Sequence, residues 1–129
     1  MSSIVRRGRV SGVLKIIYSG VVTSSARWDA IREGQKIMGT KAVPIAIVDF
    51  SGATLGMTSE EAREFQMSLA TSDGMDQTVV IYVAGPNRQA LEEEARLGNE
   101  LGRMVEVVDT VDDAYRFLAE MEIGGDAVD

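Results

Sequence analysis

The sequence predicts an α/β domain with a mostly parallel sheet of about five strands, an N-terminal β-hairpin and four helices, in the order β-β-α-β-α-β-α-β-α. Three observations carry this. Apolar runs at 45–50 and 78–84 have the length of strands and are nearly continuous, which suits central strands covered on both faces. Between such runs lie stretches with apolar residues three and four apart, the period of a helix. The first two β-rich runs are separated by Ser11-Gly12, a tight-turn pair, so they form one antiparallel hairpin. The later βα units then run parallel with right-handed crossovers.

The hairpin occupies 5–18, and its second arm, from Val13 to Tyr18, is β-branched and aromatic as a pleated surface favours. Gly20 closes it. Ser24 or Ser25 is positioned to cap a helix that runs to Gly39, with Trp28, Ile31, Gln35 and Met38 on one face. Pro44 lies just before the next strand, where a missing N–H is tolerated, and the strand ends on Asp49-Phe50-Ser51-Gly52. A Gly-rich loop leads to Thr58 and Glu61, a capping-box pair that starts a helix burying Ala62, Phe65 and Leu69. Met67 lies about 200° from Phe65 on that helix, so the two do not share a face.

After 78–84, Gly85-Pro86-Asn87 turns into a third helix with Leu91, Ala95 and Gly98 on one stripe. Glu92, Glu93 and Glu94 near its start complement the helix dipole. A last strand at 104–108 precedes a helix opened by Thr110-Val111-Asp112-Asp113, with Val111, Ala114, Tyr115, Leu118 and Met121 at helical spacing. One domain is expected over 1–123, with a flexible tail at 124–129.

Composition narrows the function. The 129 residues are 45% hydrophobic and 26% charged, ordinary for a folded soluble domain. No apolar run has the roughly 18–20 residues of a membrane span. Lys15 interrupts the apolar residues after Arg6, Arg7 and Arg9, and no small-residue cleavage site follows, so the start does not read as a secretion signal. A cytoplasmic location is expected. There is no cysteine and no histidine, which removes thiol chemistry, the commonest general base and the commonest transition-metal ligand. The net charge of −7 is uneven. Residues 1–41 hold eight Lys/Arg against two acids, and the other 88 residues hold five Arg against 18 acids. Such polarity suits self-association or an oppositely charged protein partner, unless folding interleaves the two segments and averages it out, and the net acidity argues against sequence-general nucleic-acid binding.

Candidate site residues cluster at strand ends, where open α/β sheets place their ligands. Asp49 and Asp109 each end a parallel strand, and could share one edge as oxygen ligands or anchor their own loops. Ser51 and Gly52 belong to the loop that follows Asp49. Arg88 opens a helix directly after a strand, a setting that attracts anions. The glycine-lysine phosphate loop and the dinucleotide fingerprint are both absent. Ser51 or Ser59 as a nucleophile lacks a basic partner, since Lys15, Lys36 and Lys41 all lie elsewhere. Neither catalysis nor a metal or cofactor is expected.

The strand ending Asp49-Phe50-Ser51-Gly52, with a helix about ten residues on, resembles the STAS-like domains. So does the ending Val107-Val108-Asp109 followed by Asp113-Ala114-Tyr115-Arg116-Phe117-Leu118, which is similar to the SpoIIAA-like branch of small bacterial domains. The resemblance runs from residue 5 to about 121. It implies a non-catalytic regulatory domain that docks a protein partner, or a second copy, through the strand-end loop and helix near 51–67. In the family's anti-sigma-factor antagonists a serine at this helix start is phosphorylated, and Ser59, beside Thr58, holds the matching position. The acid before it and the glycine after it are missing here, and Glu60 and Glu61 follow instead. The branch is also compared with lipid-carrying domains. That implies an alternative function, a carrier of a small apolar ligand, with a pocket between the first two helices and the sheet among Trp28, Met38, Phe65, Met67 and Met121.

Overall fold

In the computed structural model, which describes residues 2–126 and side chains through 121, the sheet grows in chain order. β1 (Ser2–Arg7) pairs antiparallel with β2 (Val13–Val22), and β3 (Ile45–Leu55), β4 (Val79–Val83) and β5 (Met104–Val108) add in turn, each parallel to its predecessor. This topology dictates where the helices go. Each parallel strand lies next to its predecessor, so right-handed crossovers place α1 (Ser24–Met38), α2 (Ser59–Ala70) and α3 (Arg88–Glu100) on one face. α4 (Val111–Asp126) follows the last strand, has no crossover to make, and covers the other face. The expected α/β class, with five mostly parallel strands and four helices, is the observed architecture.

The two faces hold separate cores. On the α1–α3 side Leu14, Ile16, Tyr18, Val48, Phe50 and Tyr82 of the sheet pack against Ala30, Ile31, Phe65, Leu69, Leu91 and Ala95. On the α4 side Val13, Ile47, Ile81 and Val83 meet Ala114 and Leu118. Phe50 ties the first core together, with ring centroids 5.2 Å from Tyr18 and 5.7 Å from Tyr82.

Several expectations need correction. β3 does not end at Phe50: it runs to Leu55 beside an extension of β2 that continues through Gly20 to Val22. The cap of α1 is therefore Thr23, whose hydroxyl accepts from the Ala26 N–H, and not Ser24 or Ser25. The buried stripe of α1 is Arg27, Ala30, Ile31 and Gly34, while Trp28 and Met38 are only partly buried at its flank. Gly34 decides this. A Cβ there would lie 2.3 Å from the side chain of Leu14, so the helix rests its smallest residue on the sheet. Gly39 ends α1 in the left-handed conformation, as expected. Of the tail expected at 124–129, residues 127–129 lie outside the described residues.

Candidate functional site

The strand-end region is a ribbon, not a loop. Asp49, Ser51 and Gly52, expected at a strand end and in the loop after it, all lie within β3. Between Ile17↔Asp49 and Ser19↔Gly52 the pairing gains one residue on β3, a bulge at 50–51 that lets the chain continue past β4 alongside β2. A bulge removes ladder partners, and neighbouring side chains replace them. Asp49, buried on the α4 side, accepts from the Ser51 N–H at 2.9 Å and from the Ser51 hydroxyl at 2.6 Å. Asn87 donates to the carbonyls of Phe50, Ala53 and Ala84 and accepts from the Leu55 N–H at 2.9 Å. Gly85, at φ +54°, passes so close that a Cβ would lie 2.5 Å from Ser51 Cα. Asp49 thus anchors the backbone, the second of the roles its position allowed.

Asp109 does not join Asp49. It forms an ion pair with Arg88 Nη1, and Arg88 Nε lies 2.9 Å from Glu92. Arg88 is thereby satisfied on the surface by its own chain. No group of three or more His, Cys, Asp or Glu among the described residues is arranged to hold a metal ion.

At the start of α2 the capping box is complete. Thr58 accepts from the Glu61 N–H at 3.1 Å, and Glu61 Oε1 accepts from the Thr58 N–H at 2.9 Å. Ser59 is the first helical residue and is exposed, with Glu60 and Glu61 directly after it. Two adjoining concavities flank this helix start. One, of about 80 Å³, is lined by Leu55, Met57, Thr58, Ser59, Ala62, Arg63 and residues of α3. The other, of about 360 Å³, is lined by Leu55, Pro86, Asn87, Gln89, Ala90 and Glu93. They share Leu55, Ala90 and Glu93, and so form one broken groove between the ribbon, α2 and α3.

Beneath the groove lies a network that sequence reasoning missed. Arg27 of α1 and Glu94 of α3, both buried, form a bidentate pair with two contacts of 2.7 Å. Tyr82 donates its hydroxyl to Glu94 at 2.6 Å, and Gln66 donates to Glu94 at 2.7 Å and to the Tyr82 oxygen at 2.9 Å. The Arg27 guanidinium also lies 4.0 Å from the centre of the Phe65 ring and donates to Met57 Sδ, at the groove floor, at 3.4 Å. Burial alone pushes the Glu94 carboxyl up; the Arg27 charge and the hydrogen bonds from Arg27, Tyr82 and Gln66 outweigh it and hold it below the carboxylate range. Burial likewise opposes the charged form of Arg27, and Glu94 more than offsets it. Tyr18 is pushed up to about 12, chiefly by burial, with Arg27 opposing and Glu94 adding.

Arg103 closes the network by donating Nη1 to Gln66 Oε1, while its Nε and Nη2 have no partner among the described residues. A cavity of about 30 Å³ sits here between α1, α2 and the sheet, where a ligand pocket was expected. Its volume accommodates on the order of one or two water molecules and not an acyl chain. Of the five residues expected around it only Phe65 lines it. Trp28 instead packs edge-on against Phe65 at 5.1 Å, and Met67 is exposed.

One signal could have revealed the network. Glu94 stands three residues after Leu91 and four before Gly98, on the buried stripe and not among the solvated acids with which it was grouped. Arg27 precedes Ile31 by one helical turn in the same way. Comparison of the chain with protein-family models, curated proteins and solved structures gives no match. No helix among the described residues is long and apolar enough to cross a membrane.

Proposed function

We propose that this chain is a STAS-like domain of the SpoIIAA-like kind that works by binding, docking a protein partner through the surface spanning 51–67. The groove carries this reading. It combines the β2–β3 ribbon, an exposed helix start and two adjoining concavities of about 80 and 360 Å³. Its floor rests on the Arg27–Glu94 pair, so it is a stiff surface that a partner meets without reordering it. Glu93 lines both concavities and the exposed Glu60 and Glu61 follow Ser59 on α2, together outnumbering Arg63 of the lining, which favours a basic segment on the partner. The Ser51 hydroxyl is committed to Asp49 in anchoring the bulge.

The test uses the full chain as bait in extracts of its own cells, as wild type, Ser59→Arg and Glu106→Arg, with cross-linking before capture. Ser59 is in the groove and Glu106 is an exposed residue of β5 outside it. The expected outcome is a partner kept by wild type and Glu106→Arg, lost with Ser59→Arg, and cross-linked within 51–67 or 86–93. Identical capture by all three proteins, or cross-links elsewhere, refutes the docking reading. Equal partner affinity of Ser59→Ala and Ser59→Asp would remove phosphorylation as its switch. A bound mass seen in native but not denaturing mass spectrometry would favour the carrier alternative, with the 30 Å³ cavity restricting the cargo to very small species unless the helices part.

A further inference from the structure

The opposite face carries a second surface. Among the described residues α4 covers only part of the sheet: Ile4 on β1 remains 57% exposed, and Lys15 and Ile17 on β2 are half-buried. Arg6 and Lys15 are direct cross-strand partners here, and the register sets both on the α4 side, in a row with Ile47 and Ile81. Like charges directly opposite on neighbouring strands repel. Among the described residues neither cation makes an ion pair or a side-chain hydrogen bond.

A third cation completes the cluster. Arg9 is held by Tyr115: its guanidinium lies 4.0 Å from the ring centre, and its backbone N–H donates to the Tyr115 hydroxyl at 3.1 Å. Asp112 approaches the Arg9 guanidinium at 3.6 Å, with both side chains largely in solvent, and so compensates it weakly. Gly8 makes the approach of Tyr115 possible, since a Cβ there would sit 3.0 Å from its hydroxyl. Arg7 also borders the cluster, but its guanidinium turns to the α1 side and donates to the Ile37 carbonyl at 2.8 Å. Together these residues border an open concavity of about 390 Å³.

Among the described residues only Asp112 offsets this three-cation cluster, on a chain with 20 acids and 13 bases. A carboxylate can be matched by a single arginine fork, which would leave the Arg6–Lys15 repulsion in place. A phosphate dianion answers all three cations at once, with two guanidinium forks, one ammonium point charge and the neutral donor of Tyr115. A volume near 390 Å³ falls within the range of small-molecule sites. We propose that this concavity binds phosphate, free or as the monoester of a small molecule, through Arg6, Arg9 and Lys15. The proposal is independent of the docking groove, which lies on the other face of the sheet.

The test is a titration of the ¹⁵N-labelled full chain with inorganic phosphate and with glycerol 3-phosphate, each against sodium chloride at matched ionic strength. Saturable shifts confined to residues 6–15 and 115 are expected, together with a rise in melting temperature on phosphate addition, because the ligand binds only the folded chain. Tighter saturation by the ester would identify a phosphorylated small molecule, and equal saturation the free anion. The double variant Arg6→Gln/Lys15→Gln should weaken binding at least tenfold, and Lys15→Arg should retain it. Without phosphate the double variant should melt no lower than wild type, since only repelling surface charge is lost. Shifts that follow ionic strength alone, that survive in the double variant, or that saturate with a glutamate-rich peptide and not with phosphate would each overturn the proposal.

Discussion

The two faces of the sheet treat charge in opposite ways. Under α1–α3, Arg27 and Glu94 are sealed from water, and every oxygen of the carboxylate has a donor. On the α4 side, Arg6 and Lys15 sit side by side with no counter-charge among the described residues, tolerated because water reaches them. The cause is topological. Three crossovers place three helices on one face, and a single terminal helix cannot span five strands on the other. Under the three helices Arg27 and Glu94 match each other, because the desolvation of an unpaired ion costs several kcal/mol. Arg103, whose Nη1 donates only to the Gln66 amide oxygen, is the exception among the described residues. Where the cover is partial, matching can be left to a ligand. The buried network is accordingly assigned to architecture, and the open face to recognition.

The sharpest way to break this contrast is to remove one buried partner. Glu94→Leu should cost about 3–5 kcal/mol in urea unfolding, since it strands Arg27 in an apolar interior. Adding Arg27→Met should recover most of that loss. If the double variant is no more stable than the single one, the network does more than satisfy itself.

A titration probes the buried face without mutation. Glu94 has its folded carboxyl below the ordinary 4.5, so its contribution is complete above about pH 4.5 and is lost as pH falls through the lower folded value. Tyr18 is shifted from 10.0 to about 12, so its contribution is complete below pH 10 and is lost as pH rises from 10 to 12. Tyr82 is raised in the same direction, again chiefly by burial. Melting temperature should therefore fall at both limbs, with delayed tyrosinate absorbance marking the alkaline one. In Arg27→Met/Glu94→Leu the acid limb should flatten.

Smaller effects test the rim. Thr58→Ala removes the cap of α2 and should cost about 1 kcal/mol. Arg88→Ala breaks the exposed pair with Asp109 and should cost no more than about 1 kcal/mol. The comparison of Arg88–Asp109 with Arg27–Glu94 then measures what burial adds to one kind of ion pair.

Much of this was legible in the chain. The order of elements, the capping box of Thr58 and Glu61, the C-terminal stop at Gly39 and the inward stripe of Phe65 and Leu69 follow from local chemistry, because helix ends and helical periods are written within a few residues of one another. The extension of β3 was not legible. It depends on Asn87, whose side chain reaches 32 to 37 positions back to supply the bulge with hydrogen bonds. The partners Arg27 and Glu94 are 67 positions apart, and although each falls on the apolar stripe of its own helix, nothing local pairs one with the other. Sequence alone settles the cap and buried face of α2 and the end of α1, since those interactions close within one turn. It does not settle the cap or buried stripe of α1, which the extended β2–β3 ribbon and the contact of Gly34 with Leu14 decide. Tertiary structure decides which charges are buried and which are left open, since that depends on which face three crossovers roof and how much of the other face one helix can cover.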